Sequence, residues 1–210
     1  NQQRLVNKIQ QTKPDMIVIT GDIIDSNRYN LQNSLDLIDQ IVEIADVYYV
    51  TGNHEVATND VDRIKEQLTT RGVRVLANET LNLERGGEDI SLTGIEDPLM
   101  GEVASKMISD SRMPSDAFTV LLAHRPEDFQ AYVDAGIDVT FSGHAHGGQF
   151  RIPGMGGLVA PGQGYFPKYT AGIHEQGQKK LVVSRGLGNS IIPMRLFNLP
   201  EIVVVTLKSN

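Results

Sequence analysis

Apolar residues recur at helical spacing in three places early in the chain. Leu5, Val6 and Ile9 form one short stripe, ended at Lys13 and Pro14. Leu31, Leu35, Ile38, Ile41, Val42 and Ala45 form a second. Val61, Ile64 and Leu68 form a third, with Gly72 suited to its C-terminal cap. Between these stripes lie apolar, β-branched runs at 16–20 and 47–51, which read as strands buried on both faces, and a shorter strand at 73–76. From Leu81 to Ile95 the pattern changes. Leu81 and Leu83, then Gly86 and Gly87, then Ile90, Leu92 and Ile95 predict a hairpin with a glycine turn.

The second half continues in the same alternation. Val103, Met107 and Ile108 allow a helix within 101–115. Residues 118–123 predict a strand, 127–133 a helix and 138–141 a strand. Glycine and proline dominate 147–164, so that stretch reads as loop. Residues 181–183 and 202–207 predict closing strands. No repeat and no linker interrupts the chain, so residues 1–210 read as a single domain. Strands alternating with helices imply a parallel sheet, and the hairpin adds a β-rich part. The expected class is α/β, a two-sheet β-sandwich flanked by helices.

Composition narrows the function classes. The chain has 210 residues, 40% of them hydrophobic, enough for a sizeable core. A net charge of −7 argues against a sequence-independent grip on nucleic acid, which needs a basic face. The absence of cysteine excludes disulfides, thiolate zinc sites and cysteine nucleophiles. No apolar run approaches the ~18 residues of a membrane span. The chain begins at Asn1 and not at methionine, so an upstream segment is expected, with any export signal or anchor in it.

Four polar signatures each follow an apolar run. They are Gly21-Asp22-Ile23-Ile24-Asp25, Gly52-Asn53-His54-Glu55, His124 in Ala-His-Arg-Pro-Glu, and Gly143-His144-Ala145-His146-Gly147-Gly148-Gln149. Asp22, Asn53, His124 and His144 fall near the C-terminal ends of predicted strands, the edge where parallel sheets bind ligands. Asp22 offers two oxygens that can bridge two cations, and Asn53 a neutral carbonyl oxygen. Singly, Gly-Asp and Asn-His are ordinary turns; together they point to a divalent-metal site for hydrolysis. His54, next to Asn53, is free for acid–base work. His144 and His146, two apart in a segment read as extended, should project to the same side. His174 has no partner motif and reads as surface.

These motifs, in this order, resemble the calcineurin-like metallophosphoesterases. The tail Gly-His-Ala-His-Gly-Gly-Gln, followed by 183–188 and 193–195, resembles the bacterial envelope-associated branch. The resemblance implies a four-layer αββα arrangement and two divalent metals, manganese first, with iron, zinc or cobalt as alternatives. It implies that Asp22 bridges both, that Asn53, His124 and His144 hold one and that His146 holds the other. A bridging hydroxide would attack phosphorus, His54 would protonate the leaving oxygen, and Asp25 would orient His54. Arg185, Arg195 and Gln149 are weaker candidates for contacting substrate phosphate, with a structural salt bridge as the alternative for the arginines.

The chain departs from the family in one respect. The family opens with an Asp-x-His motif on its first strand, and nothing before Pro14 contains aspartate or histidine. The expectation is a domain truncated at its N-terminus, lacking its first strand, of low activity in this form. The expected substrate is a small-molecule or lipid-linked phosphate ester. Nucleic acid is not expected as a partner, and membrane association is expected only through the upstream segment, in a bacterial envelope-associated parent. The competing readings are a pyrophosphatase acting on a nucleotide-linked lipid precursor and a non-catalytic scaffold of the same fold.

Overall fold

A computed structural model describes residues 2–85, 87–111, 117–189 and 194–208. Its elements in order are α1 (Gln2–Thr12), β1 (Met16–Ile19), α2 (Leu31–Ile41), β2 (Asp46–Tyr49), α3 (Asn53–Ala57), α4 (Val61–Thr69), β3 (Arg74–Val75), β4 (Glu79–Arg85) and β5 (Glu88–Gly94). There follow α5 (Ala104–Asp110), β6 (Phe118–Leu122), α6 (Phe129–Asp134) and β7 (Val139–Ser142). The chain then makes four two-residue strands, β8 (Arg151–Ile152), β9 (Gly156–Gly157), β10 (Val159–Ala160) and β11 (Gly164–Tyr165), before β12 (Gly172–Gln176) and β13 (Lys179–Val183).

Two sheets stand face to face. The first is all parallel in the order β1-β2-β3, with Met16 opposite Asp46 and Tyr48 opposite Arg74. The second has the order β12-β13-β7-β6-β5-β4, parallel at its centre, with antiparallel hairpins at both edges. Strand side chains alternate between faces, and here both faces are covered. On β2, Val47 and Tyr49 pack towards α1, α2 and α4, whereas Tyr48 faces the other sheet. On β6, Val120 and Leu122 face the first sheet while Leu121 packs with α5 and α6. That two-sided burial explains the unbroken apolar runs. The order is helices, sheet, sheet, helices, the αββα arrangement expected. Leu31, Leu35, Ile38 and Ile41 supply the buried stripe of α2, and Asn30 caps it by accepting from the Asn33 N–H.

Several expectations change. Residues 202–207 form no strand: among the described residues they make no ladder, and Val204 is 63% exposed. Their β-branched composition favours extension, but a strand exists only where a neighbour supplies the partner groups. The hairpin β12–β13, turning at Gly177, was not expected from the hydrophobic pattern. Of the predicted glycine turn, Gly86 lies outside the described residues, as do 112–115 of the allowed helix and Pro193 of the 193–195 motif. No described helix is long and apolar enough to cross a membrane.

Candidate metal centre

The site is built on the C-terminal ends of β1, β2, β6 and β7. After β1 the backbone turns sharply, with Gly21 at φ +87° and Asp22 at φ +53°. The second value is strained for a residue with a Cβ. The turn is held by Glu55, a fully buried carboxylate on α3. Glu55 Oε2 accepts from the N–H groups of Asp22 (2.8 Å) and Gly52 (2.7 Å), and Oε1 from Ile24 N–H (3.3 Å). One side chain thus ties the loop after β1 to the loop after β2. Burial, then the Asp22 charge, raises the pKa of Glu55. Glycine at 52 is a packing requirement, since a Cβ there would lie 2.3 Å from Asp22 Oδ1. Glu55→Ala leaves two or three buried N–H groups without an acceptor. It should destabilise the chain by on the order of 3 kcal/mol. Urea denaturation checks this, and a shift under about 1 kcal/mol would contradict the tie.

Around that tie the donors converge. Asp22 Oδ1 accepts from His54 N–H at 2.9 Å. His124 Nδ1 lies 2.6 Å from the Thr20 carbonyl oxygen. A carbonyl only accepts, so Nδ1 carries a proton. In neutral His124 the lone pair of Nε2 then points at two acceptor oxygens and at a ring nitrogen of His144 that is itself an acceptor when its ring proton sits on Nε2. Asn53 Oδ1 lies 3.0 Å from it, Asp22 Oδ2 3.1 Å and His144 Nδ1 3.0 Å. Asp22 Oδ2 is buried without a hydrogen-bond partner among the described residues. Such a cluster repels itself unless a cation sits among the lone pairs, either a second proton on His124 or a metal ion. The donor set, one carboxylate, one amide oxygen and imidazoles, fits a divalent first-row metal.

The titration behaviour agrees. Burial opposes charge on His124, yet the Asp22 carboxylate raises it to about 9. Burial would raise the Asp22 pKa, but His124 beside it holds the carboxyl well below its usual range. His144 is lowered to about 3, by burial and by the positive charge of His124. Burial lowers His146 to about 4, against the pull of Asp22. Both are neutral at pH 7, the form that ligates metal.

Ligand atoms of Asp22, His124 and His144 lie within 4.8 Å of one another, and so do those of Asp22, His54 and His146. Asp22 belongs to both groups. The structure corrects the reading of His144 and His146 as extended: their φ values are +61° and +46°, both left-handed. The glycines around them permit a tight turn in which the two rings serve different groups.

The remaining sequence candidates are placed as follows. Ser26 N–H donates to His54 Nδ1 at 3.1 Å, so that nitrogen is an acceptor and the ring proton sits on Nε2. Asp25 Oδ1 lies 3.8 Å from the same Nδ1, outside hydrogen-bond reach, and accepts from Asn27 N–H instead. Arg185 turns its fork to Glu201, with Nε 2.7 Å from Oε2. Arg195 points to the carbonyls of Gly186 and Gly188, and its charge reaches His146. Gln149 donates from Nε2 to Met194 O at 2.8 Å. His174 is half-buried and stacks edge-on against Tyr169. Asn198 was not anticipated. It is fully buried, and its Nδ2 donates to His146 O (2.7 Å) and Gln149 O (3.0 Å), stapling the turn that carries His146.

A two-sheet sandwich with carboxylate, amide and imidazole donors at its strand ends defines the class of metal-dependent phosphoesterases. The calcineurin-like phosphoesterase family model matches residues 1–148, and the chain belongs to that family. It is 33% identical over 205 residues to the metallophosphoesterase YkuE of Bacillus subtilis, covering 96% of this chain and 70% of the relative. It is 29% identical over 200 residues to the phosphodiesterase YaeI of Escherichia coli, covering 94% and 72%. The phosphopantetheinyl hydrolase of Mycobacterium tuberculosis shares the fold, with a TM-score of 0.53 at 11% identity over 84% of this chain and 82% of the other. Family and donor cluster together support hydrolysis of phosphoesters with divalent metal.

Proposed function

We propose that the chain hydrolyses phosphate mono- or diesters at a dinuclear centre of divalent metals. The observation that carries this is the convergence of lone pairs on His124 Nε2. Asp22 would be shared, Asn53, His124 and His144 would hold one metal, and His146 the other. Metals bound there would supply positive charge to the phosphoryl oxygens and lower the pKa of the attacking water. The N/O donor set suits manganese, iron, zinc or cobalt.

The chain's own residues supply the rest. His54 would donate its Nε2 proton to the leaving oxygen from the doubly protonated ring, whose Nδ1–H Ser26 Oγ at 2.8 Å can accept, and would be left as neutral imidazole. Ser26 holds the ring, and Asp25 stands 3.8 Å from its Nδ1. Arg195 is the better arginine for contacting substrate, because its charge reaches His146 and, among the described residues, no carboxylate pairs with it, whereas Arg185 is ion-paired with Glu201. The presence of His54 beside the donors weighs against a scaffold without activity.

The test is hydrolysis of bis-p-nitrophenyl phosphate and p-nitrophenyl phosphate before and after exhaustive chelation, then with manganese restored. Turnover should vanish on chelation and return with metal. Turnover that survives thorough removal, verified by elemental analysis, would sink the reading.

A further inference from the structure

Behind His144, on the side away from the donor cluster, lies a carboxylate with no role in the reading above. Glu127 sits in the turn after His124, with Oε1 3.6 Å from His144 Nε2 and 3.6 Å from Arg125 Nη1. Both Glu127 oxygens are buried without a hydrogen-bond partner among the described residues, and so is His144 Nε2. Two unsatisfied groups, an acceptor and a potential donor, therefore face each other in a dry place. Buried polar groups in native proteins are nearly always paired, and closing this gap takes a shift of only about 0.5 Å.

The surroundings hold Glu127 in that position. Arg125 is fixed by a bidentate pair with fully buried Asp97, Nε to Oδ2 at 2.8 Å and Nη2 to Oδ1 at 3.0 Å. Asp97 is in turn anchored by its N–H donating to Thr51 Oγ1. On the other side the chain passes so close at Gly162 that a Cβ there would lie 2.2 Å from Glu127 Oε1. The result is a run of groups, Thr51, Asp97, Arg125, Glu127 and His144, that starts at the end of β2 and finishes on a candidate ligand.

We propose that Glu127 is a positioning residue that accepts the Nε2–H of His144, fixing the tautomer whose Nδ1 lone pair faces Asp22 and His124. The inference rests on the reading of His144 as a metal ligand. It follows from a general property of metal-binding imidazoles: the nitrogen that holds no metal donates its proton, and that hydrogen bond orients the ring. Without Glu127 the buried ring has no acceptor at Nε2. It is then free to carry its proton on Nδ1, where the proton blocks coordination.

Long-range 1H–15N correlation spectra of the metal-free chain at pH 7, with 15N-labelled histidine, read the tautomer directly. The His144 signal is assigned by its absence in His144→Ala. His144 should carry its proton on Nε2 in the wild type and in Glu127→Gln, whose amide oxygen also accepts. Glu127→Ala should lose that preference. Titration with Co(II), followed by its visible spectrum, should show affinity about 10–100-fold weaker in Glu127→Ala and largely recovered in Glu127→Gln. A wild-type His144 protonated on Nδ1 overturns the proposal. So does a Glu127→Ala variant that keeps both tautomer and affinity. If Glu127→Ala does not fold, the wild-type and Glu127→Gln spectra decide alone. Failure of the wild type to take up Co(II) sinks the metal reading instead, while the metal-free spectra still decide what Glu127 does.

Discussion

Asp22→Asn should abolish hydrolysis while leaving the fold standing. Asp22 is common to both donor groups, so the change removes the one carboxylate that both metals would share. The loss in kcat/KM for bis-p-nitrophenyl phosphate should be on the order of 10³-fold or more, the scale seen when a preorganised charge stabiliser is lost. Elemental analysis should show metal content falling with it. Stability should fall at pH 7, because the raised pKa of His124 and the lowered pKa of Asp22 mark a pair that the asparagine gives up. The loss should be moderate, since the amide oxygen can still accept from His54 N–H and, once His124 is neutral, the NH₂ can donate to its Nε2, which Oδ2 faces at 3.1 Å. Thermal unfolding of the metal-free protein, with a cooperative transition kept at a lower midpoint, checks this half. A variant that keeps half its activity, or one that does not fold, contradicts the account.

His54→Ala should keep its metal and lose about 10²–10⁴-fold in rate on esters with poor leaving groups, the usual worth of a general acid. On p-nitrophenyl esters the loss should be much smaller, because that leaving group needs little protonation. The pattern discriminates between two roles. The ring also lies within reach of Asp22 and His146 as a ligand. If it ligates, His54→Ala should lose metal, and good and poor leaving groups should suffer alike. Metal content measured beside the two substrates separates the cases. Asp25→Asn should give the smaller defect, since Ser26 N–H already holds His54 Nδ1 and Asp25 stands farther away.

The layered fold was legible because both sheets are buried on both faces, so their central strands read as unbroken apolar runs. β12 was not legible. It is an edge strand whose residues are mostly exposed, so no hydrophobic alternation marks it; the only cue was Gly177 at the turn to β13. The opposite error occurred at 202–207, where composition suggests a strand but no neighbour completes it. That Asp22, Asn53, His124, His144 and His146 would come together was legible because residues able to donate to a metal follow strand ends. The residues that hold those donors in place were harder to see. Glu55, Glu127 and Asn198 act across the fold, Asn198 on a carbonyl 52 residues away in sequence, and no local spacing marks such a contact. The left-handed turn at His144 and His146 was hidden for a related reason. Glycines permit both an extended and a folded backbone, and packing against Asn198 and Gly157 chooses.

The run at 202–207, Ile-Val-Val-Val-Thr-Leu, has a bearing on how the protein behaves in bulk. It holds six residues without charge or proline, with Val204 63% exposed and with no ladder partner among the described residues. A stretch of this composition is primed to add to any open strand edge, including the same stretch on a second chain. The net charge of −7 repels whole molecules at a distance, but at physiological salt that repulsion is screened beyond about 8 Å, so it does little to keep two chains from approaching. In concentrated, salty solution this stretch is the place where strand-to-strand association is expected to start.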